Sequence, residues 1–299
     1  MISIPRATEH AADTSEGIDT WANVAVLEAL VMGQERAIGA VRHAIPQIAA
    51  AADILAGRLA VGGRLAYAGA GTSIRIAVQD GSELPATFGM AEDKIIYFIA
   101  GGKAAIFETM ADAEDDIKAG QQDAAQLLPS DTLVAVAASG RTPDTIAAAQ
   151  VAKAKGAFVI SVVNNSGTAL GALGNIEIVL ASGAEVIAGS TRMGAGTAQK
   201  AALNLLSTLT HIRLGAVHDG LMVNVQAGNL KLKQRAAEIV AKISGAPLEQ
   251  ATHALNEANA LVKPAILLCA GASNLASAQT ILENTKGNLR LALAQLNKL

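Results

Sequence analysis

Two hydroxyl-rich turns, each closing an apolar run, carry the side chains best suited to hold an anion. The first is Gly69-Ala-Gly-Thr72-Ser73, after Arg64-Leu-Ala-Tyr-Ala; the second is Ser139-Gly140-Arg141-Thr142-Pro143, after Thr132-Leu-Val-Ala-Val-Ala-Ala. A helix-like stretch follows each turn, so N–H groups and hydroxyls at the helix start would face an anion such as a phosphate ester. In the second turn Ser139 and Thr142 offer hydroxyls, Gly140 lets the backbone come close, and Arg141 supplies charge. Pro143 suits the first turn of a helix, where its missing N–H costs nothing. A third such segment, Ser190-Thr191-Arg192, precedes another helical stretch and could complete the site. The plainer alternative is that these Ser and Thr residues only cap helices.

Two carboxylates lie between the first two turns. Glu83 follows the first by about one short helix, in Ser82-Glu83-Leu84-Pro85, and Glu114 sits in the acidic run Ala113-Glu114-Asp115-Asp116. Either is compatible with a solvated surface group. Set beside two anion cradles, they suggest acid–base chemistry on a phosphorylated substrate. Other chemistries fit less well. A dinucleotide fingerprint fails because Ile74 stands at the third glycine position and no acid closes the next strand. A P-loop fails because no Gly-Lys-Ser/Thr follows a glycine loop. The scattered histidines lack partners at metal-ligand spacing, so neither metal nor other cofactor is expected.

The elements that position these residues follow from periodicity. Apolar runs at 64–69, 95–99, 132–138, 157–163 and 176–181 predict strands, with helix-like stretches at 73–82, 104–125 and 143–155 between most of them. Strands that are apolar throughout and alternate with helices predict an α/β fold, a five-stranded parallel sheet covered on both faces. Ligands of such sheets sit outside the carboxyl ends of the strands, where both hydroxyl turns lie. Ahead of the sheet, 1–20 reads as an irregular arm and Thr20 to Leu59 as helical, divided or kinked at Pro46. Helical patterns recur at 194–214 and 228–244. Residues 246–299 read as short helices separated at Pro264, Gly271 and Gly287. The domain division expected is 1–245 for the sheet domain with its N-terminal helices and 246–299 for a small helical domain.

Composition narrows the partners. The 299 residues are 51% hydrophobic but only 2% aromatic, so a base-stacking surface is absent, and a net charge of −3 gives no global attraction to nucleic acid or acidic lipid. Met1 to Asp19 is polar, and no apolar stretch reaches the ~20 residues of a membrane span. The single cysteine, Cys269, lies in an apolar run and reads as buried filler in a reducing compartment. A cytoplasmic location, without membrane or nucleic-acid partners, is the expectation.

At these residues the chain resembles the sugar isomerase (SIS) domain superfamily and, within it, the N-acetylmuramic acid 6-phosphate etherase family. The resemblance runs from about Thr8 to the C-terminus. It rests on Gly69-Ala-Gly-Thr-Ser-x-Arg75, Asp80-x-Ser-Glu83-x-Pro-x-Thr-Phe-Gly89 and Ala100-Gly-Gly102. It extends to Ala113-Glu-Asp-Asp116, Ala137-Ala-Ser-Gly-Arg-Thr-Pro143, Gly189-Ser-Thr-Arg-x-x-Ala-Gly-Thr-Ala-Gln-Lys200 and Asn204-x-Leu-Ser-Thr208. It implies a three-layer SIS fold with a small C-terminal helical domain, and a homodimer with its active site near the subunit interface. The implied reaction is carbon–oxygen lysis of the D-lactyl ether of N-acetylmuramic acid 6-phosphate, in peptidoglycan recycling and amino-sugar catabolism.

By the same resemblance Glu83 protonates the departing lactate and later activates water, while Glu114 is the base at C2. Glu83 should then be poorly solvated. The phosphate falls to Thr72, Ser73, Ser139, Gly140 and Thr142, with Arg141, Ser190 or Arg192 assisting. Ile74 and Gly194 replace the family's Gly and Lys, and Ile74 beside Ser73 is expected to narrow the sugar pocket. A sugar-phosphate-sensing regulator of the glucokinase-regulatory-protein type and a phosphosugar isomerase are the alternatives that share this domain.

Overall fold

The computed structural model describes residues 7–9, 12, 15–110, 112–226 and 230–296. The chain divides into two compact units, Met1–Gly81 with Asp93–Ser207, and Ser82–Glu92 with Thr208–Leu299.

The first unit is the α/β layer structure. Two helices precede the sheet, α1 (Asn23–His43) and α2 (Ile45–Ala60), with Pro46 in the first turn of α2 as the break between them. The strands are β1 (Leu65–Gly69), β2 (Ile95–Ile99), β3 (Thr132–Ala137), β4 (Phe158–Val163) and β5 (Ile176–Val179). All neighbours pair in parallel, in the order β2-β1-β3-β4-β5. Between them run α3 (Gly71–Phe88), which continues into the second unit, α4 (Ile117–Ala124), α5 (Pro143–Ala154) and a short α6 (Ala169–Leu173). After β5 comes α7 (Gly194–Arg213), which also crosses the unit boundary.

Strand periodicity sends alternate residues to opposite faces. Ala66, Ala68, Leu133, Ala135, Ala137 and Val159 form one core with Ala148, Ala149 and Ala152 of α5. The small side chains let α4 and α5 approach closely: a Cβ on Gly120 of α4 would lie 2.2 Å from the carbonyl oxygen of Asp144 on α5. On the other face Tyr67 is 1% exposed and donates to Oδ2 of Asp80 on α3 at 2.7 Å.

The stretch 104–125 departs from the helix expected there. Among the described residues of that stretch only α4 is α-helical, and the others form loop with 3-10 turns at Lys103–Ile106 and Ala113–Asp115. Left-handed backbone at Gly101, Gly102 and Asp112, with φ of 83°, 74° and 57°, interrupts helical propagation there. Of the expected arm over 1–20, residues 1–6, 10, 11, 13 and 14 lie outside those described; Ala7–Glu9 and Ile18–Thr20 form 3-10 turns.

The second unit contains a hairpin, β6 (Val217–His218) and β7 (Leu221–Met222), turned by Asp219-Gly220 with both residues at positive φ. Its helices are α8 (Leu230–Ser244), α9 (Leu248–Glu257), α10 (Val262–Cys269), α11 (Leu275–Asn284) and α12 (Leu289–Leu296). Residues 228 and 229, read as the start of α8, and 297–299 lie outside those described. One apolar core joins Val223, Ala237 and Val240 to Leu255, Ile266 and Ile281, so this unit starts well before the boundary expected at 245/246. Pro264 lies inside the first turn of α10 rather than between helices, a position where its missing N–H is tolerated. Cys269 is half-buried at the edge of that core. No helix among the described residues is long and apolar enough to cross a membrane.

Candidate active site

The strand order reverses direction between β1 and β3, the adjacent pair from which the chain departs to opposite sides of the sheet. A crevice opens at the carboxyl ends of such strands. Here it is a cavity of about 420 Å³, built wholly from the first unit. Thr72 and Ser73 enter it from the first turn of α3, Ser139 and Thr142 from the turn between β3 and α5, and Glu114 from the facing loop. Five of the ten residues expected at the site are therefore brought together.

Backbone geometry explains the cradle. Gly140 has φ 62°, and a Cβ there would lie 2.3 Å from the hydroxyl oxygen of Thr168, so both conformation and space require glycine. Its carbonyl accepts from the N–H of Leu170 in α6. The N–H of Arg141 donates to the Ser139 hydroxyl oxygen at 3.2 Å, leaving that O–H to donate elsewhere. The start of α5 has no side-chain capping hydrogen bond from Thr142, so that hydroxyl is not taken up by its own helix. The cradle thus presents four hydroxyls at two helix starts, where the helix dipoles favour negative charge.

Glu114 rides on the 3-10 turn Ala113–Asp115, after left-handed Asp112 and before Asp116, whose Oδ1 caps α4 by accepting from the N–H of Ala119 at 3.0 Å. Its Oε1 comes within 3.8 Å of where a Cβ on Gly71 would stand, so the carboxylate lies over the start of α3. The loop that carries it is fastened by Arg75, whose guanidinium donates to the carbonyl oxygens of Ala105 at 2.9 Å and Glu108 at 3.1 Å.

The other expected residues fall elsewhere. Arg141 and Arg192 are exposed and Ser190 half-buried, and none lines the cavity. The cation in the cavity wall, among the described residues, is Arg75. Gly140 shapes the turn without lining the cavity. Glu83 belongs to the second unit and is exposed, contrary to the poor solvation expected. Helical periodicity is the reason: Ile74, Ala77, Asp80, Leu84 and Phe88 form the buried stripe of α3, and Glu83 lies on the outward face with Gln79 and Ala86. Ile74 is itself fully buried and outside the cavity lining, so it does not narrow the pocket as expected.

Thr191, in the middle of the third hydroxyl segment, does line the cavity, and sequence reasoning missed Glu9 and Glu108, which line it too. Glu9 arrives on an N-terminal turn without periodicity. It is held there because Asn165 donates to the Thr8 hydroxyl at 3.0 Å and to the carbonyl of Ala138 at 2.9 Å. Two quoted motifs turn out to be support. Asn204 and Ser207 of α7 donate to Oδ1 of buried Asp80 at 2.6 and 2.9 Å, and with Tyr67 they fix α3 on the sheet. Burial, then the charge of Asp80, raises the Tyr67 phenol well above its ordinary value, so it stays a donor. Gly194, with Ala195, donates its N–H to the carboxylate of buried Glu185 at 2.9 and 2.8 Å, which caps α7. Among the described residues no group of three or more His, Cys, Asp or Glu is placed to hold a metal.

Matches to two family models agree with this architecture. A model of the SIS domain matches residues 105–209, and one of the glucokinase regulatory protein N-terminal SIS domain matches 46–154. The chain is similar to a phosphoheptose isomerase from Francisella tularensis, at 21% identity and a TM-score of 0.49, covering 64% of this chain and 98% of that one. It is 41% identical to an N-acetylmuramic acid 6-phosphate etherase from Deinococcus radiodurans, over 97% of this chain and 96% of that protein. A second relative of that name, from Vibrio cholerae, is 42% identical over 96% and 97% of the two chains. Identity at this level, sustained over nearly the whole of both chains, means that this chain belongs to the N-acetylmuramic acid 6-phosphate etherase family.

Proposed function

We propose that this protein cleaves the D-lactyl ether of N-acetylmuramic acid 6-phosphate, giving N-acetylglucosamine 6-phosphate and D-lactate. The observation that carries the reading is the meeting of four hydroxyls at two helix starts with Glu114 in one cavity. The phosphate sits on Thr72, Ser73, Ser139 and Thr142. An alkyl ether resists direct hydrolysis, but the ring-opened sugar bears an aldehyde at C1 that acidifies the C2 proton. Glu114 takes that proton, the C2–C3 double bond forms, and the C3–oxygen bond breaks with its electron pair going to lactate. An acid supplies the proton for the lactate oxygen. Water then adds its hydroxyl to C3 and a proton returns to C2, so the net change is hydrolysis.

Glu83 is the proposed acid, and its exposure leaves it accessible to a second subunit. We assign the protein as a cytoplasmic homodimer in which Glu83 of one subunit reaches the cavity of the other and loses its hydration there. An apolar stripe on α1 supports an interface: Val24, Leu27, Val31 and Met32 are all more than half exposed.

The test is D-lactate release from N-acetylmuramic acid 6-phosphate. Glu83→Ala and Glu114→Ala proteins should each be inactive. Mixed and re-equilibrated, they should recover about one quarter of wild-type activity, because half the dimers are mixed and each holds one intact site. A mixture that stays inactive would place both carboxylates in one subunit. Binding of the phosphosugar without lactate release would favour a regulator, and aldose–ketose interconversion without it an isomerase.

A further inference from the structure

The second unit holds a cavity of about 550 Å³ that no step of the proposed reaction uses. Its size is that of small-molecule sites. Val223, Val225, Leu261, Val262 and Leu282 supply an apolar wall, and Lys263 stands among them. Lys263 is only 8% exposed. Its Nζ donates to the carbonyl oxygen of Gly287 at 2.7 Å, but an ammonium has three donors. None of the lining residues is Asp or Glu. A buried ammonium without a carboxylate carries a large desolvation cost, and burial lowers its pKa from 10.5 to about 8.

The backbone adds to this positive potential. Lys263 lies in the first turn of α10, where the helix dipole is positive. No side chain caps that helix start, and Pro264 contributes no N–H, so the amides of Val262 and Lys263 lack the usual capping oxygen. The approach to the helix passes through Asn259 and Ala260 with φ of 52° and 65°, a left-handed pair that alanine rarely adopts. Buried Lys263 and the uncapped helix start thus share one cavity wall, which among the described residues carries no Asp or Glu.

We propose that this cavity binds an organic carboxylate with an apolar body. Its carboxylate takes the Lys263 ammonium and the first amides of α10, and its body lies against Val223, Val225 and Leu282. A phosphate is the poorer fit, because the wall offers one cation and no Ser or Thr hydroxyl. The site is independent of the etherase reading.

Octanoate is the probe, with inorganic phosphate as control, on the full-length protein at pH 7. Calorimetry measures binding, and acetylation of Lys263 by acetic anhydride, read by peptide mass spectrometry, measures occupancy. Octanoate should bind, slow acetylation of Lys263 about tenfold, and lose at least tenfold affinity in Lys263→Met; phosphate should do none of this. No octanoate binding, equal affinity in Lys263→Met, or protection by phosphate alone would overturn the proposal. If Lys263→Met fails to fold, protection in the wild type decides.

Discussion

Asp144 should make the first unit less stable as pH rises, and Asp144→Asn should remove most of that dependence. Asp144 is in the first turn of α5, 2% exposed, and its Oδ2 has no hydrogen-bond partner among the described residues. Burial, then the charges of Asp123 on α4 and of Asp116 that caps it, raise its pKa from 3.8 to about 7. The folded protein therefore holds this proton up to about pH 7, while the unfolded chain releases it near 3.8. Between those values the folded state binds more protons, so its stability is full below the lower value and falls as pH rises through 7. About three units at 1.36 kcal/mol each is about 4 kcal/mol, of which about 3 kcal/mol falls between pH 5 and 8. Burial also raises Asp123, which adds a slope of the same sign. Urea unfolding followed by fluorescence of Trp21, the only tryptophan, reports on this unit. Wild type should lose about 3 kcal/mol from pH 5 to 8, and Asp144→Asn only the small remainder from Asp123. Equal slopes in the two proteins would refute the reasoning.

Two further outcomes follow from the cradle. Gly140→Ala forces a side chain into left-handed backbone and onto Thr168, and should destabilise the protein by about 2 kcal/mol or more, measured by the same urea titration. Ser139→Ala removes one donor to a charged phosphate at a cost of about 1.5–3 kcal/mol, so affinity for the phosphosugar should fall roughly tenfold to a hundredfold in calorimetry. Unchanged affinity would remove Ser139 from the phosphate site.

The strands and the two hydroxyl turns were legible because apolar runs broken by Gly, Ser and Thr admit few other arrangements. The loop before α4 was not. Lys103-Ala-Ala-Ile106 has helix-forming composition, and its irregular path depends on Arg75, a tether from a distant helix that no local pattern reveals. Position 83 was read for its carboxylate just past a helix expected over 73–82; α3 instead runs on through Phe88, and its 3.6-residue period puts Glu83 with Gln79 and Ala86 on the exposed side. Arg141 and Arg192 were drawn in by charge and proximity to the turns, but the structure leaves both in solvent. Glu9 gave no signal, since its position depends on Asn165, far away in sequence.

The pairing of β1 with β3 has a consequence for folding. These strands are neighbours in the sheet, but β2, the Glu114 loop and α4 intervene in the chain. Closing a loop of some sixty residues costs about 4 kcal/mol of chain entropy before any of its contacts form. Neither hydroxyl turn meets the other until that closure has occurred. The ability to hold a phosphate ester is therefore acquired in one step with the central strand pairing. A fragment ending before β3 would keep Thr72 and Ser73 yet have no cradle, and ligand would stabilise the whole closed unit rather than either turn.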